Sequence, residues 1–423
     1  IISYATSIFS APSGASLAPL DARRVQKSLR AIPYYCCEKI PAIRYLRKFS
    51  NTSAAGAVYA VLKNNGYEND ALRSLKRNVK RAISCGKRLY LSKNGSLSPT
   101  ALEAYFSCPY LGFMRQGLKV AERDEGAVRA VDTGNFIHAV LQDLAPEIND
   151  IAYEAALCAR AEELARQKLE IQPYKSLADS KSGEYVAQSL VNEAVAVSKG
   201  TYAQVRNSSF RVAGAERPAE LALSDGVKIY GRIDRVDEYD GLVRVIDYKT
   251  GNIDSSPAKY YQGVKLQLPL YLSAAAKGKR AAGAYYFPAS LEYRDAVDGV
   301  FRLQGFMDGS DEVVRASDLT VQPKEKSGFV DAYYQGRRIE SAMSPQDFSD
   351  FIEYSRMVAD GGAREMLGGN VTPSPAEGVC KYCKAGGSCG AALGKDAAER
   401  KVKSVKCSEI ARIVRKEKGD ETY

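Results

Sequence analysis

The chain has 423 residues, a formal net charge of +10, 45% hydrophobic and 26% charged residues, nine cysteines and one histidine. That length suggests two to four domains, the composition is globular, and no run of 18 or more apolar residues offers a helical membrane span. An odd cysteine count in so large a chain argues against a secreted disulfide scaffold and for a metal site in a reducing, cytoplasmic compartment. The first residues, IISYATSIFS, lack a Met and a basic n-region. They do not read as a signal peptide but as an internal starting point of a longer protein.

Residues 1–95 read as mostly helical, with stretches such as DARRVQKSLRAI and ENDALRSLKRNVKRAI. Arg73, Lys76, Arg77, Lys80, Arg81, Lys87, Arg88 and Lys93 follow one another with no acid between them. Such a run is either a polyanion-binding surface or a solvated helix face. A boundary falls in SKNGSLSPT, where Ser98 reads as an N-cap and Pro99 as the first helical residue of a helix through TALEAYFSC. Residues 120–205 are again helical in pattern, and 211–250 change to short β-rich runs. SSPAKYYQGVKLQLPLYLSAAAKG (255–278) reads as one helix, with Pro269 a kink or a boundary. AAGAYYFPA is a further strand, and MSPQDFSDFIEYSRMVADGGAREML returns to helix. Residues 396–423 form a basic C-terminal tail. Strands within a mainly helical setting predict an α/β domain with a small mixed sheet.

Asp240-Gly241 lies between the β-rich runs KIYGRIDRVDEY and LVRVIDYK, which predicts a two-residue hairpin. Asp234 and Asp247 stand equally far from that turn, so they are expected as direct cross-strand partners. Lys249, two residues on, projects from the same face. Paired carboxylates repel unless a cation lies between them, and hard ions such as Mg²⁺ prefer carboxylate and carbonyl oxygens. Two acids, a metal and a nearby ammonium suit phosphodiester hydrolysis. The plainer alternative is an exposed hairpin whose aspartates pair with Arg232 or Arg235.

Cys380, Cys383 and Cys389 have the spacing C-x₂-C-x₅-C, which fits three ligands of either a tetrahedral zinc or an iron–sulfur cluster. Cys36, Cys37, Cys85, Cys158 and Cys407 have no such spacing and read as packing residues. The sequence contains no P-loop: its nearest stretch, CGAALGKD, has Cys389 in place of the first Gly and Asp396 in place of Ser or Thr.

GRIDRVD followed by VIDYKTG resembles the PD-(D/E)XK nucleases of the RecB type, with Ile233 where the family name has proline. The similarity extends to LSPTALEAYFSCPYLGFMRQGLKV, TGNFIHAVL, LQLPLYL and CKYCKAGGSC, five ordered motifs in all, and is strongest to the C-terminal nuclease domains of AddB-type proteins. The resemblance implies a restriction-endonuclease-like core, a small mixed sheet flanked by helices, over residues 96–395, preceded in 1–95 by the end of a helicase-like region. It implies that His138, Asp234, Asp247 and the Tyr248 carbonyl hold Mg²⁺ and that Lys249 is catalytic. Gln267 and Tyr271 would position strand and site, with Glu216 a further upstream acid. It implies that Cys108 joins Cys380, Cys383 and Cys389 around a structural [4Fe–4S] cluster that staples the two ends of the domain. The implied activity is a DNA exonuclease acting at broken duplex ends in recombinational repair, with an AddA-type helicase as heterodimer partner. Two other readings are a stand-alone CRISPR-associated RecB-like exonuclease and a non-catalytic DNA-binding module of the same fold.

Overall fold

The computed structural model describes residues 38–48, 53–75, 81–120, 130–290, 301–383, 385–389, 399–402 and 404–419. The helix expected at 21–32, Cys36, Cys37, much of the basic run (76–80) and most of the P-loop-like stretch lie outside these. Among the described residues, no helix is long and apolar enough to cross a membrane.

Three helices open the described chain: α1 (Lys39–Lys48), α2 (Ser53–Asn64) and α3 (Glu68–Leu75). They bury a small core of their own around Tyr45, Leu46, Val58 and Leu62. After β1 (Ser96–Leu97) comes α4 (Pro99–Ser107), and its start follows the sequence signal. Ser98 Oγ accepts the Ala101 N–H at 3.1 Å, and Pro99, which has no N–H to satisfy, takes the first helical position. The helices α5 (Ala130–Leu144), α6 (Glu154–Leu169) and α7 (Lys181–Arg206) share an apolar core that includes Phe136, Val140, Leu157 and Val191.

The sheet is mixed and seven-stranded. Its centre is β2 (Arg211–Ala222), β3 (Lys228–Tyr239), β4 (Leu242–Lys249) and β5 (Arg280–Pro288). β2 and β4 run antiparallel to β3, and β5 runs parallel to β4. The β3–β4 hairpin turns through Asp240 (φ +42°) and Gly241 (φ +74°), the left-handed pair that an Asp-Gly turn supplies at least cost. Its ladder pairs Tyr239 with Leu242 through to Arg235 with Ile246, the expected register. One face of β4 buries Leu242, Ile246 and Tyr248 against Ile137 and Leu141 of α5 and Val197 of α7. The other buries Val243 and Val245.

That second face is covered by α8 (Gln267–Ala275), by α9 (Pro345–Leu367) and by α10 (Cys407–Lys418). The single helix expected over 255–278 is instead two, Pro257–Tyr261 and α8. Gly263 (φ +73°) breaks the run, and an added Cβ there would meet the Phe106 ring at 2.7 Å. Pro269 sits in the first turn of α8, where N–H groups have no intrahelical acceptor, so it neither kinks nor ends the helix. The segment expected as a basic tail contains α10, which buries Cys407, Ile410, Ala411 and Val414, while Arg415 reaches Asp347 and Asp350 of α9. The sheet continues from β5 through β6 (Gln304–Asp308) to β7 (Ala342–Met343).

Candidate active site

The hairpin ladder stops one residue short of Asp234. There the side chain takes over, and Asp234 Oδ2 accepts the Tyr248 N–H at 2.9 Å. On the far side of β3, Ala215 pairs with Arg235 and Arg217 with Ile233, which sets Glu216 opposite Asp234. Glu216 adopts φ +48°, a left-handed conformation that a residue with a Cβ rarely takes.

Helix α5 brings the only histidine to the same point. Gly134, one turn earlier, lets α5 pass close to Thr250, whose Oγ1 would lie 3.0 Å from an added Cβ. His138 Nε2 lies 2.9 Å from the Tyr248 carbonyl oxygen and Nδ1 lies 3.3 Å from Asp234 Oδ2. A carbonyl can only accept, so Nε2 carries the proton and Nδ1 presents a lone pair. Burial lowers the imidazole's basicity, against the opposing pull of Asp247, and the ring is neutral near pH 7. One ligand atom from each of His138, Glu216 and Asp234 lies within 4.8 Å of the others.

Asp247 is nearly inaccessible, at 3% exposure. The Gln267 amide donates to its Oδ1 at 2.5 Å, and Lys249 Nζ stands 2.6 Å from Oδ2, out of hydrogen-bond alignment. Burial opposes the Lys249 ammonium, but its contact with the Asp247 carboxylate and the charges of Asp247, Asp234 and Glu103 together outweigh it and hold the group above the usual lysine range. Burial, reinforced by the Asp247 charge, pushes the Asp234 carboxyl up to about 8. Among the described residues, the ion-pair partners of these acids are thus one ammonium, Lys249 on Asp247, and one imidazole, His138 beside Asp234.

This donor set fits a hard divalent cation. The Asp234 oxygen and the His138 lone pair face each other across 3.3 Å. Only a proton or a metal makes that contact favourable, and the raised Asp234 basicity is the proton solution. Carboxylate oxygens with one imidazole are ligands that Mg²⁺ or Mn²⁺ accepts.

Gln267 and Tyr271 lie one turn apart on α8, as their spacing requires. Tyr271 approaches β3 where Gly231 has no side chain: an added Cβ would sit 2.4 Å from the Tyr271 hydroxyl. One residue went unnoticed in the sequence. Glu103 of α4 accepts the N–H groups of Leu266 and Gln267 at 2.7 and 2.8 Å and so caps α8. Burial raises its pKa, against these two bonds and the charges of Lys265 and Lys249. Its motif was visible, but its partner lies 163 residues away, and no local pattern announces that.

The cysteines converge more loosely. Ala376 donates to the Ser107 carbonyl at 2.8 Å, Arg400 donates to that of Phe106, and Arg81 donates to that of Cys389 at 3.0 Å. The Cys380 thiol is pushed up by burial and then by the charges of Cys108, Cys383, Glu399 and Cys389. Among the described residues no three cysteine sulfurs lie within 4.8 Å of one another. The expected staple is thus not drawn closed around a point, as four thiolates about 2.3 Å from a single zinc would be.

The described geometry is that of a nuclease core, and comparison with known proteins agrees. The family model of the PD-(D/E)XK nuclease superfamily matches residues 96–390, and the chain belongs to that superfamily. Within it the chain is a RecB-like member close to AddB. It is similar to proteins named as the B-type component of an ATP-dependent helicase/deoxyribonuclease. It is 26% identical to that of Clostridioides difficile strain 630 over 384 residues, 78% of this chain and 33% of the relative. It is 28% identical to that of Caldanaerobacter subterraneus over 360 residues, 72% of this chain and 30% of the relative. For Clostridium novyi the figures are 25% over 385 residues, 80% and 33%. The chain thus spans about a third of the length of the curated relatives it matches.

Proposed function

We propose that the chain is the nuclease portion of an AddAB-type helicase–nuclease, cutting DNA phosphodiesters with a bound divalent cation. The observation that carries this reading is the juxtaposition of Glu216, Asp234 and Asp247 with a neutral His138 and the ammonium of Lys249. His138, Glu216, Asp234 and Asp247 would hold Mg²⁺, with the Tyr248 carbonyl as a further oxygen ligand. When bound, such a cation acidifies a water and offsets charge on phosphoryl oxygens.

The protein's own groups divide the remaining work. Lys249, kept protonated by Asp247, offsets charge building on a non-bridging phosphoryl oxygen. Gln267 fixes the orientation of Asp247, and Glu103 fixes Gln267. Tyr271, seated over Gly231, closes the α8 side. The deoxyribonuclease in the relatives' names supports DNA as substrate, and the word helicase supports a motor-bearing partner of AddA type, since the sequence contains no P-loop. In that setting the protein acts in the cytoplasm as an exonuclease on double-strand break ends.

The same reading gives Cys108, Cys380, Cys383 and Cys389 to a structural [4Fe–4S] cluster. The support for this assignment is the C-x₂-C-x₅-C spacing and the family resemblance, not the placement of the sulfurs. Protein purified without oxygen should then be brown, absorbing broadly near about 400 nm. A colourless protein with stoichiometric zinc would overturn that assignment.

The hydrolytic reading is tested with linear DNA and Mg²⁺, comparing wild type with Asp247→Ala. Loss of cleavage in the variant is expected, and equal degradation by both proteins rules out the site.

A further inference from the structure

We infer that a basic cleft beside the site, along β6 of the sheet, holds the nucleotides of a single DNA strand next to the one being cut; the inference rests on the nuclease reading above. The cleft has a volume of about 590 Å³, and its lining includes Arg302, Gln304, Lys326, Tyr333 and Arg337. Its place relative to the site follows from the sheet register. Asp247 pairs with Tyr286 of β5, and Tyr286 pairs with Gln304 of β6. Paired residues share a face, so Gln304 opens on the same side as Asp247, two strand spacings or roughly 10 Å away. That distance is one or two nucleotides of an extended strand.

The span between them is already cationic. Lys249 and Lys265 place their ammonium groups 5.6 and 5.4 Å from the Tyr286 ring centroid. In the cleft itself the two acids are engaged. Asp331 pairs with Lys326 at 2.6 Å and accepts the Ser341 hydroxyl, and Glu340 accepts the Cys407 N–H at 2.9 Å. Arg302 and Arg337 form no ion pair among the described residues, although the Arg302 charge reaches Asp331. Arg302 donates to the Gly328 carbonyl at 3.3 Å, and Arg337 donates to the Tyr333 hydroxyl at 3.1 Å, its guanidinium 5.0 Å from that ring. Two arginines outside any ion pair among the described residues, beside a half-buried tyrosine and on the side of the sheet that carries Lys249 and Lys265, are what a single strand needs for phosphates and for one stacked base.

The test uses the full chain and a fluorescent oligothymidylate of about 12 nucleotides, with affinity read by anisotropy in EDTA so that no cleavage intervenes. Arg302→Ala/Arg337→Ala should weaken binding about tenfold and make the slope of log affinity against log salt shallower by about 1.4, two phosphate contacts at about 0.7 each for a single strand. Lys175→Ala/Lys181→Ala removes the same charge from exposed positions on the helical side and should leave both values unchanged. With Mg²⁺, the arginine variant should hydrolyse a one-nucleotide nitrophenyl diester, too short to reach the cleft, as fast as wild type, while its KM for the oligonucleotide rises. Unchanged affinity in the arginine variant, or an equal loss in the lysine control, overturns the cleft. If binding falls as expected yet wild type cuts neither substrate, the cleft stands and the hydrolytic reading falls.

Discussion

The β3–β4 hairpin buries acids on both faces and treats them in opposite ways. On one face Asp237, fully buried, is clamped by Arg235 and by its cross-strand partner Arg244, and Arg235 also donates to Gln204 of α7. Burial opposes its ionisation, but the two guanidinium groups win and hold it below the usual carboxylate range. On the other face, among the described residues, Asp247 pairs with Lys249 while Asp234 and the adjacent Glu216 have no Lys or Arg ion pair, and Asp234 is pushed the other way. Where an acid is architectural, the chain supplies the counter-charge itself. Where the counter-charge is left short in a buried place, a ligand is expected to bring it.

Substitution separates the two faces most sharply. Asp237→Ala strands two buried guanidinium groups and should destabilise the protein by about 3–5 kcal/mol, enough to threaten folding. Asp247→Ala should cost at least about 10³-fold in Mg²⁺-dependent cleavage, in line with loss of a group acting on transition-state charge. It should nevertheless leave the metal-free melting temperature unchanged or higher, because it relieves like-charge crowding. Melting curves with and without Mg²⁺ decide this, and a large metal-free drop for Asp247→Ala would make both faces architectural.

The pH dependence of stability follows from the same contrast. A carboxyl whose folded pKa lies above its unfolded value binds a proton that the unfolded chain has released, so metal-free stability falls as pH rises. For Asp234 the window runs from the ordinary 3.8 to about 8. The slope approaches about 1.4 kcal/mol per pH unit if this group dominates. A divalent cation competes with that proton, so its stabilising effect should be larger at pH 8 than at pH 6. Asp234→Asn should flatten the metal-free profile. A cation effect independent of pH would mean that the ion binds elsewhere.

A third test concerns how Asp247 is held. Glu103→Ala removes the cap of α8, at about 1–2 kcal/mol, and frees Gln267 to drift from Asp247. Cleavage should fall about tenfold with little change in KM, a size that fits loss of orientation rather than of a reacting group. Glu103→Gln keeps one acceptor oxygen for the two N–H groups and should recover most of the rate. If it does not, the charge of Glu103 matters and not its geometry.

What was legible in the sequence was whatever is carried by local spacing. Asp240-Gly241 set the hairpin register, Ser98-Pro99 set the start of α4, and the one-turn interval put Gln267 and Tyr271 on one face of α8. The contacts that were not legible link distant segments. Glu103 meets Gln267, and Arg235 meets Gln204, only after the sheet and helices have packed. The break at Gly263 was also hidden, because a single glycine in a helical pattern is tolerated more often than not. The Asp237 clamp shows the limit of charge counting: Arg235, offered by sequence as a partner for the site aspartates, points to the opposite face and serves Asp237 instead.

The smallest predicted effects come from the two glycines that let helices approach the hairpin, and they too should differ. At Gly231 an added Cβ would lie 2.4 Å from the Tyr271 hydroxyl and 2.8 Å from its ring. A buried ring on a packed helix cannot step aside freely, so Gly231→Ala should cost about 1–3 kcal/mol as overpacking. At Gly134 the nearest atom is Thr250 Oγ1 at 3.0 Å, the tip of a side chain that a small rotation removes. Alanine is also the better helix former there by about 1 kcal/mol. The two contributions oppose each other, and Gly134→Ala should change stability by no more than about 0.5 kcal/mol. Its effect on cleavage is then a direct measure of how finely the α5 approach places His138 against Asp234. Full activity would show that the imidazole tolerates a small shift of the helix, whereas a loss of rate at unchanged stability would show that it does not.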